Sequence, residues 1–267
     1  MTGGPGPAAD ADAAGAGRTG AVVDRAYSDP ALAALYDALN PWGRCDDFYL
    51  ELVMSAASVL DVGCGTGTLL RRAREAGHGG RLCGLDPAAA MLDRARREAA
   101  RSGAGVEWVL GDLGSARWEG EFELVVMTGH AFQVLLGDGE VRTALAAVRA
   151  ALADGGRFAF ETRNPAARPW ERWTPEHAVE VVDGTGAAVR VAHRVEEPVA
   201  GGTVRFTTTF TGPGWERAGR SELRFWEAEA LDGLLAGAGL TVVERYGDWA
   251  RGPLTDSSPE IVTVARR

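Results

Sequence analysis

Three glycines on alternate positions, Gly63, Gly65 and Gly67, follow directly on the apolar run Ser58-Val59-Leu60-Asp61-Val62. The run reads as a buried strand, and a helical segment begins near Thr68. Glycine here lets the chain turn sharply and approach a ligand where a Cβ would collide. The helix start behind the loop offers unpaired N–H groups and the positive end of a helix dipole. That chemistry suits a nucleotide-type cofactor. A dinucleotide fingerprint spaces its glycines G-x-G-x-x-G, whereas this loop reads G-x-G-x-G and is preceded by Asp61. Two more carboxylates follow strand-like runs. Asp86 ends Arg81-Leu82-Cys83-Gly84-Leu85, where a carboxylate can accept both ribose hydroxyls of an adenosine. Asp112 stands in Gly111-Asp112-Leu113 after Val106–Leu110, where a carboxylate can hold the amino group of an adenine.

The elements that must position these residues are legible as periodicities. Leu32, Leu35, Tyr36 and Leu39 recur at helical spacing within a segment from Val22 to Leu39, which Asn40-Pro41-Trp42-Gly43 breaks. A second helix is expected from Asp46 to about Ser55. Strands and helices then alternate: strand 58–62, helix 67–76, strand 81–86, helix 88–102, strands 106–110 and 121–128, helix 138–152, strand 156–162. Such alternation implies a mostly parallel sheet with helices on both faces and the glycine-loop strand at its centre. Pro87 is expected in the first turn of the second of these helices. Between 166 and 226 the period changes to two, with turns at Asp183-Gly184, Gly201-Gly202 and Pro213-Gly214. A last helix (Glu227 to Ala238) and two closing strands near 240–246 and 261–265 complete the chain.

The ordered set of glycine loop, Asp86 and Asp112, each after its own strand, closely resembles the class I S-adenosylmethionine-dependent methyltransferases, strongly over residues 58–165 and in outline beyond. The resemblance implies an α/β fold: a doubly wound, mostly parallel seven-stranded Rossmann-like sheet with an antiparallel β-meander insertion. Its domain plan is a disordered tail over 1–20 and a methyltransferase domain over 21–267, with N-terminal cap helices (21–57) and an inserted roof over the acceptor pocket (166–226). The cofactor would be S-adenosylmethionine, leaving as S-adenosylhomocysteine. It would be held by Asp61, Gly63, Cys64, Gly65, Thr66, Gly67, Asp86, Pro87, Met91, Gly111, Asp112, Leu113 and Thr128, with Tyr36 from the cap.

The acceptor side follows from the tips of the fourth and fifth strands. Methyltransferases acting on nucleobase amines or amides carry an Asn/Asp-Pro-Pro-aromatic motif after the fourth strand; this chain has Thr128-Gly129-His130-Ala131. That counts against DNA, RNA-amino and glutamine targets. His130 is the first candidate base, because imidazole titrates near neutrality, with Tyr36 and Glu161 behind it. Trp42, Phe48, Phe132, Arg163, Asn164, Trp170, Trp173 and Trp249 are the expected acceptor-lining residues. Their aromatic weighting leans towards an aromatic acceptor.

Composition narrows the class. A formal net charge of −9 opposes a polyanionic partner. Cys45, Cys64 and Cys83 lack CxxC spacing, and the four histidines form no metal-ligand pattern. No metal, nucleic acid or membrane partner is therefore expected, and a cytoplasmic monomer or homodimer is. The first twenty residues carry few large apolar groups and read as neither signal peptide nor folded element. Asn40-Pro41-Trp42-Gly43, the meander and Thr255-Asp256-Ser257-Ser258-Pro259-Glu260 before the last strand together resemble actinobacterial secondary-metabolism (antibiotic biosynthesis) methyltransferases, and the high Ala, Gly and Arg content suits a GC-rich genome. Within that class the acceptor could be an indole carbon of a tryptophan-derived or cyclic dipeptide compound, or the nitrogen of an amino sugar or other amine. An NAD-dependent oxidoreductase, a nucleic-acid methyltransferase and a non-catalytic S-adenosylmethionine-binding protein are the rival readings.

Overall fold

The computed structural model describes residues 23–267, so the expected tail at 1–20 lies outside the described residues. The expected first helix is instead three single turns, α1 (Arg25–Ser28), α2 (Pro30–Ala33) and α3 (Tyr36–Leu39). The break has a local cause. Pro30 forces Asp29 out of the helical region (φ −80°, ψ 117°), and the Asp24 and Asp29 carboxylates cap α1 and α2 by accepting from Ala26 N and Ala31 N. The next helix, α4 (Arg44–Met54), starts two residues earlier than expected, because Asp46 reaches back to Gly43 N (2.8 Å).

Strand and helix then alternate as β1 (Ser58–Val62), α5 (Thr68–Glu75), β2 (Arg81–Asp86), α6 (Ala89–Ser102), β3 (Glu107–Leu110), β4 (Phe122–Met127), α7 (Asp138–Ala151) and β5 (Leu152–Arg163). Strand β5 begins four residues before its expected start. After α8 (Ala228–Gly237), β10 (Thr241–Tyr246) and β11 (Glu260–Arg266) close the chain. The seven-stranded sheet runs β10-β11-β5-β4-β1-β2-β3. Strand β1 pairs in parallel with β2 and β4, which puts it where strand order reverses, and β11 is antiparallel to β5.

Both faces of the sheet are covered, and side chains alternate between them. Leu60, Val125 and Phe158 pack under Val141, Leu145 and Val148 of α7 and Leu231 and Leu235 of α8. Val59, Leu124 and Ala159 meet Leu52 and Val53 of α4 and Leu69, Leu70 and Ala73 of α5.

The insertion after β5 opens with three short 3₁₀ turns and then forms a separate antiparallel sheet, β6 (Val179–Val182), β7 (Ala188–Ala200), β8 (Thr203–Gly212) and β9 (Trp215–Arg224). Leu32 and Leu35 pack on Val189, Val191 and Phe210 of this sheet. Arg217 donates to both Asp29 oxygens (2.7 and 2.9 Å), and Ser221 donates to Asp24. The N-terminal turns are thus fastened to the second sheet as well as to α6, where Ala33 packs on Ala88 and Met91.

Candidate active site

The glycine loop leaves β1 as an extension of the ladder, with Gly63 N and Cys64 N both donating to Leu85 O (2.8 and 3.1 Å). Gly63, Gly65 and Gly67 all have positive φ (75°, 55° and 71°), which side-chain-bearing residues rarely adopt. Gly67 has a second role that the spacing did not suggest. A Cβ there would lie 2.2 Å from Trp108, whose ring also fills the space above Gly84. Cys64 directs its sulfur towards Gly84, so only its backbone is open to a ligand.

Asp86 fixes the loop to the tip of β2, accepting from Gly65 N and Ala88 N (both 2.8 Å) and keeping a further lone pair on each oxygen. Burial raises its pKa. Asp61 is more telling. Its Oδ1 is buried with no partner, and burial, reinforced by the nearby Asp86 and Glu161, pushes its carboxyl up to about 8. Buried carboxylates gathered this closely favour a cation and repel a pyrophosphate. The donor set therefore fits the sulfonium and ammonium groups of S-adenosylmethionine and does not fit a dinucleotide. At the tip of β3, Asp112 closes its own turn through Oδ1, which accepts from Gly114 N and Ser115 N (both 2.9 Å). Gly111 N continues the ladder to Asp86 O (3.0 Å), and Leu113 is a core side chain beside Leu85.

The N-terminal turns lie over this loop. Thr66 donates to Asp37 (2.5 Å), which also pairs with Arg94 (2.9 Å). A Cβ on Gly65 would stand 3.3 Å from Met91 and 3.8 Å from the Tyr36 ring, and one on Gly129 would stand 3.5 Å from the Tyr36 hydroxyl. Tyr36 therefore spans the glycine loop and the turn after β4, where half-buried Thr128 lies. Burial, with Tyr27 and Asp86 nearby, drives its phenol pKa upward, so Tyr36 keeps its proton and is a poor base. Pro87 is exposed and precedes α6 rather than opening it, because the Asp86 side chain shapes the entry.

At the tips of β4, β5 and β11 a second polar cluster forms. Glu161 is 1% exposed; it accepts from His130 N (2.8 Å) and from the hydroxyl of Tyr49. The His130 backbone is left-handed (φ 62°), a conformation this carboxylate helps hold. His130 Nε2 lies 3.0 Å from Glu260 Oε2. Burial, with Arg163 adding to it, lowers the His130 pKa to about 3. The expectation of an imidazole titrating near neutrality is thus corrected: His130 stays neutral. Glu260 titrates there instead, burial raising it to about 7 against the opposing pull of Arg163. Burial lowers the Arg163 pKa, and the guanidinium donates to Gln133 (3.1 Å) and lies 5.3 Å from the Trp173 ring. Trp173 packs on Phe206 and Phe225, Trp170 packs on Phe225, and His193 meets Phe206 edge-on (5.7 Å).

Several expected acceptor residues belong elsewhere. Phe132 is 1% exposed and stacks on Phe160 (4.5 Å), because the 3₁₀ turn Ala131–Val134 points it into the core. Asn164 spends its amide on Thr255 O and Ser258 O (3.0 and 2.9 Å) and its carbonyl on Ala166 N (3.1 Å), which makes it a loop staple. Trp42 has the Arg72 guanidinium over its ring (5.6 Å) and lines a cavity with Leu50, Arg72, Glu75 and Ala76, along the half of α5 remote from the glycine loop. Phe48 is buried against Tyr49, Tyr246 and Trp249. The last of these also touches the ring of Tyr49 (5.9 Å).

The sequence expectations assign no site role to Glu260 or Trp108, and leave Tyr49 between the cap and simple packing. Glu260 carried a readable signal. It precedes the apolar run Ile261–Ala265, and an antiparallel strand brings its first residue to the edge where parallel strands end. Tyr49 carried none, since its spacing is that of any core-facing helical residue.

Residues 59–156 match the model of a methyltransferase domain. Over 91 residues the chain is 41% identical to a 2-phytyl-1,4-naphtoquinone methyltransferase of Thermosynechococcus vestitus; this is 30% of the chain and 40% of that protein. The chain thus spans about two fifths of that relative's length. A solved structure of the CcbJ methyltransferase from Streptomyces caelestis shares the fold (TM-score 0.69, 24% identity, 89% of this chain and 98% of that one). So does S-adenosylmethionine-bound CalS10, an amino pentose methyltransferase of calicheamicin biosynthesis in Micromonospora echinaspora (TM-score 0.63, 25% identity, 87% and 96%). Among the described residues no helix is long and apolar enough to cross a membrane, and no group of three or more acidic, His or Cys side chains is arranged to hold a metal.

Proposed function

We propose that this chain, which carries an S-adenosylmethionine-dependent methyltransferase domain, methylates the nitrogen of a small amine, with an amino sugar as the best-fitting acceptor class. The observation carrying this reading is the pair of carboxylates at the ends of β5 and β11, buried Glu161 and half-buried Glu260. Their combined negative charge attracts an ammonium group, and Glu260, with one oxygen unengaged among the described residues, offers it a proton acceptor. The amino pentose methyltransferase among the structural relatives supports the same class. The aromatic lean towards an indole loses two of its supports, since Phe132 is core and Trp42 lies along the far half of α5.

The cofactor supplies an activated methyl on a good leaving group, so the protein's work is alignment and exclusion of water. Holding two reactants in line is worth up to about 7–11 kcal/mol. Asp61, Asp86 and the Gly65 backbone would hold the cofactor, with Asp112 at its adenine end. Tyr36 and Met91 would cover it from the N-terminal side. The second sheet would roof the acceptor, with Arg163 and Trp173 facing it.

The test is transfer of labelled methyl from S-adenosylmethionine into a fractionated extract and into a panel of amino sugars and tryptophan-containing cyclic dipeptides. Label on a small-molecule nitrogen is expected. Label on an indole carbon, or in RNA or protein, would overturn the amine reading.

A further inference from the structure

The polar cluster holds one oxygen that nothing described so far employs. Glu161 has both oxygens engaged, one by Tyr49 and one by His130 N. Glu260 has only Oε2 engaged, by His130; its Oε1 takes part in no hydrogen bond among the described residues, and its side chain keeps 14% of its surface. The fold presents this carboxylate deliberately. In the β5–β11 ladder Glu260 is the register partner of Arg163, and Asn164 N bonds to Pro259 O (3.1 Å), which holds the start of β11 at the tip of β5. The groups facing it come from each packed element: His130 after β4, Arg163 and Glu161 on β5, and Tyr49 on α4.

From this juxtaposition we infer that Glu260, not His130, takes the proton from the acceptor ammonium, and that neutral His130 positions it through the bond to Oε2. The inference rests on the amine reading. The step balances as follows. Glu260 Oε1 accepts one proton from R–NH₃⁺, giving R–NH₂ and a neutral carboxyl. The freed nitrogen lone pair forms the N–C bond to the methyl carbon, while the C–S pair stays on sulfur as the sulfonium becomes a neutral thioether. The positive charge passes to the methylammonium product, and Glu260 returns its proton to water when product leaves. Two nearby features suit this role. Arg163 keeps the ionised form of Glu260 available near neutrality, and a neutral imidazole partner can follow either charge state. It donates from Nε2–H to an ionised Glu260 and accepts at Nε2, as the Nδ1–H tautomer, from a protonated one.

That last property gives a readout independent of turnover. In ¹⁵N-histidine-labelled protein saturated with S-adenosylhomocysteine, the His130 ring nitrogens should exchange tautomer in one step near pH 7 without the ring becoming cationic. Glu260→Gln should abolish the step. With methyl 4-amino-4-deoxyarabinopyranoside as probe acceptor, wild-type kcat/KM should rise with pH through the same step. Glu260→Gln should lower kcat/KM about 100-fold and move its acid limb up to the probe's own amine pKa. Glu260→Asp should recover part of the rate and keep the limb near neutral. A wild-type His130 that titrates to a cation near pH 7, or a Gln variant with the wild-type pH profile, would overturn the assignment while leaving amine methylation standing. A chain that turns over no probe amine, yet methylates another acceptor from the extract, would overturn both. Unchanged S-adenosylhomocysteine affinity in the Gln variant verifies that it is folded.

Discussion

The two ends of the sheet's upper edge are built in different ways. At β1, β2 and β3 the candidate cofactor site is a backbone loop plus one carboxylate per strand tip: Asp61, Asp86 and Asp112. At β4, β5 and β11 the candidate acceptor site is a network of side chains, Tyr49, Glu161, His130 and Glu260, drawn from a helix, a turn and two strands. One end is assembled within residues 61–112, the other by bonds between residues up to 130 positions apart. A local motif can carry the shared chemistry of a cofactor; the acceptor end changes whenever one element is replaced. This is the physical form of the rule that function is grafted on to a fold.

The contrast can be broken at its backbone-built end first. Gly67→Ala should be the most damaging single change. A side chain in the left-handed region costs about 1–2 kcal/mol, and forcing the Cβ that would lie 2.2 Å from Trp108 adds about 1–3 kcal/mol. Urea unfolding should show the sum together with loss of S-adenosylhomocysteine binding. Trp108→Ala in the same chain should remove the clash with the ring but leave the backbone cost and a 3.1 Å approach to Ala95.

At the side-chain-built end, Tyr49→Phe removes one of the two donors to buried Glu161. That should cost about 1–3 kcal/mol of stability. Acceptor KM should change while S-adenosylhomocysteine affinity, measured calorimetrically, stays within about twofold. Equal losses of both affinities would mean the two ends are not separable.

The comparison can also be sharpened through pH. The Asp61 carboxyl stands at about 8 in the folded protein, above the roughly 3.9 of an unfolded chain. The native state holds this proton more tightly, so its stabilising contribution is complete below about pH 4 and is lost as pH rises through about 8. Thermal unfolding of the cofactor-free protein should therefore show a falling midpoint between pH 5 and 8.5. Asp61→Asn should flatten that decline, and the cationic cofactor should raise the wild-type midpoint more at pH 8 than at pH 6. A decline of the same slope in Asp61→Asn would assign it to other groups, Glu260 foremost.

Legibility followed the same division. The glycine spacing, the carboxylates after β2 and β3 and the change of period in the insertion were readable, because each is a local pattern of strand, turn and helix start. The N-terminal helix was misjudged: its helical apolar spacing was real, but Asp29 and Pro30 end one turn and open another. Phe132 and Trp42 were misplaced because an aromatic near a strand tip or a turn has the same sequence signature whether it lines a pocket or fills a core.

By itself, the sequence determined the sheet's parallel core, the cofactor loop and the class of ligand it holds, since those depend on backbone conformation and on residues adjacent in the chain. Only the tertiary structure decided which acidic group can take a proton. That property belongs to Glu260 through its antiparallel register with Arg163, its bond to His130 and its burial, none of which exists until β11 is laid beside β5.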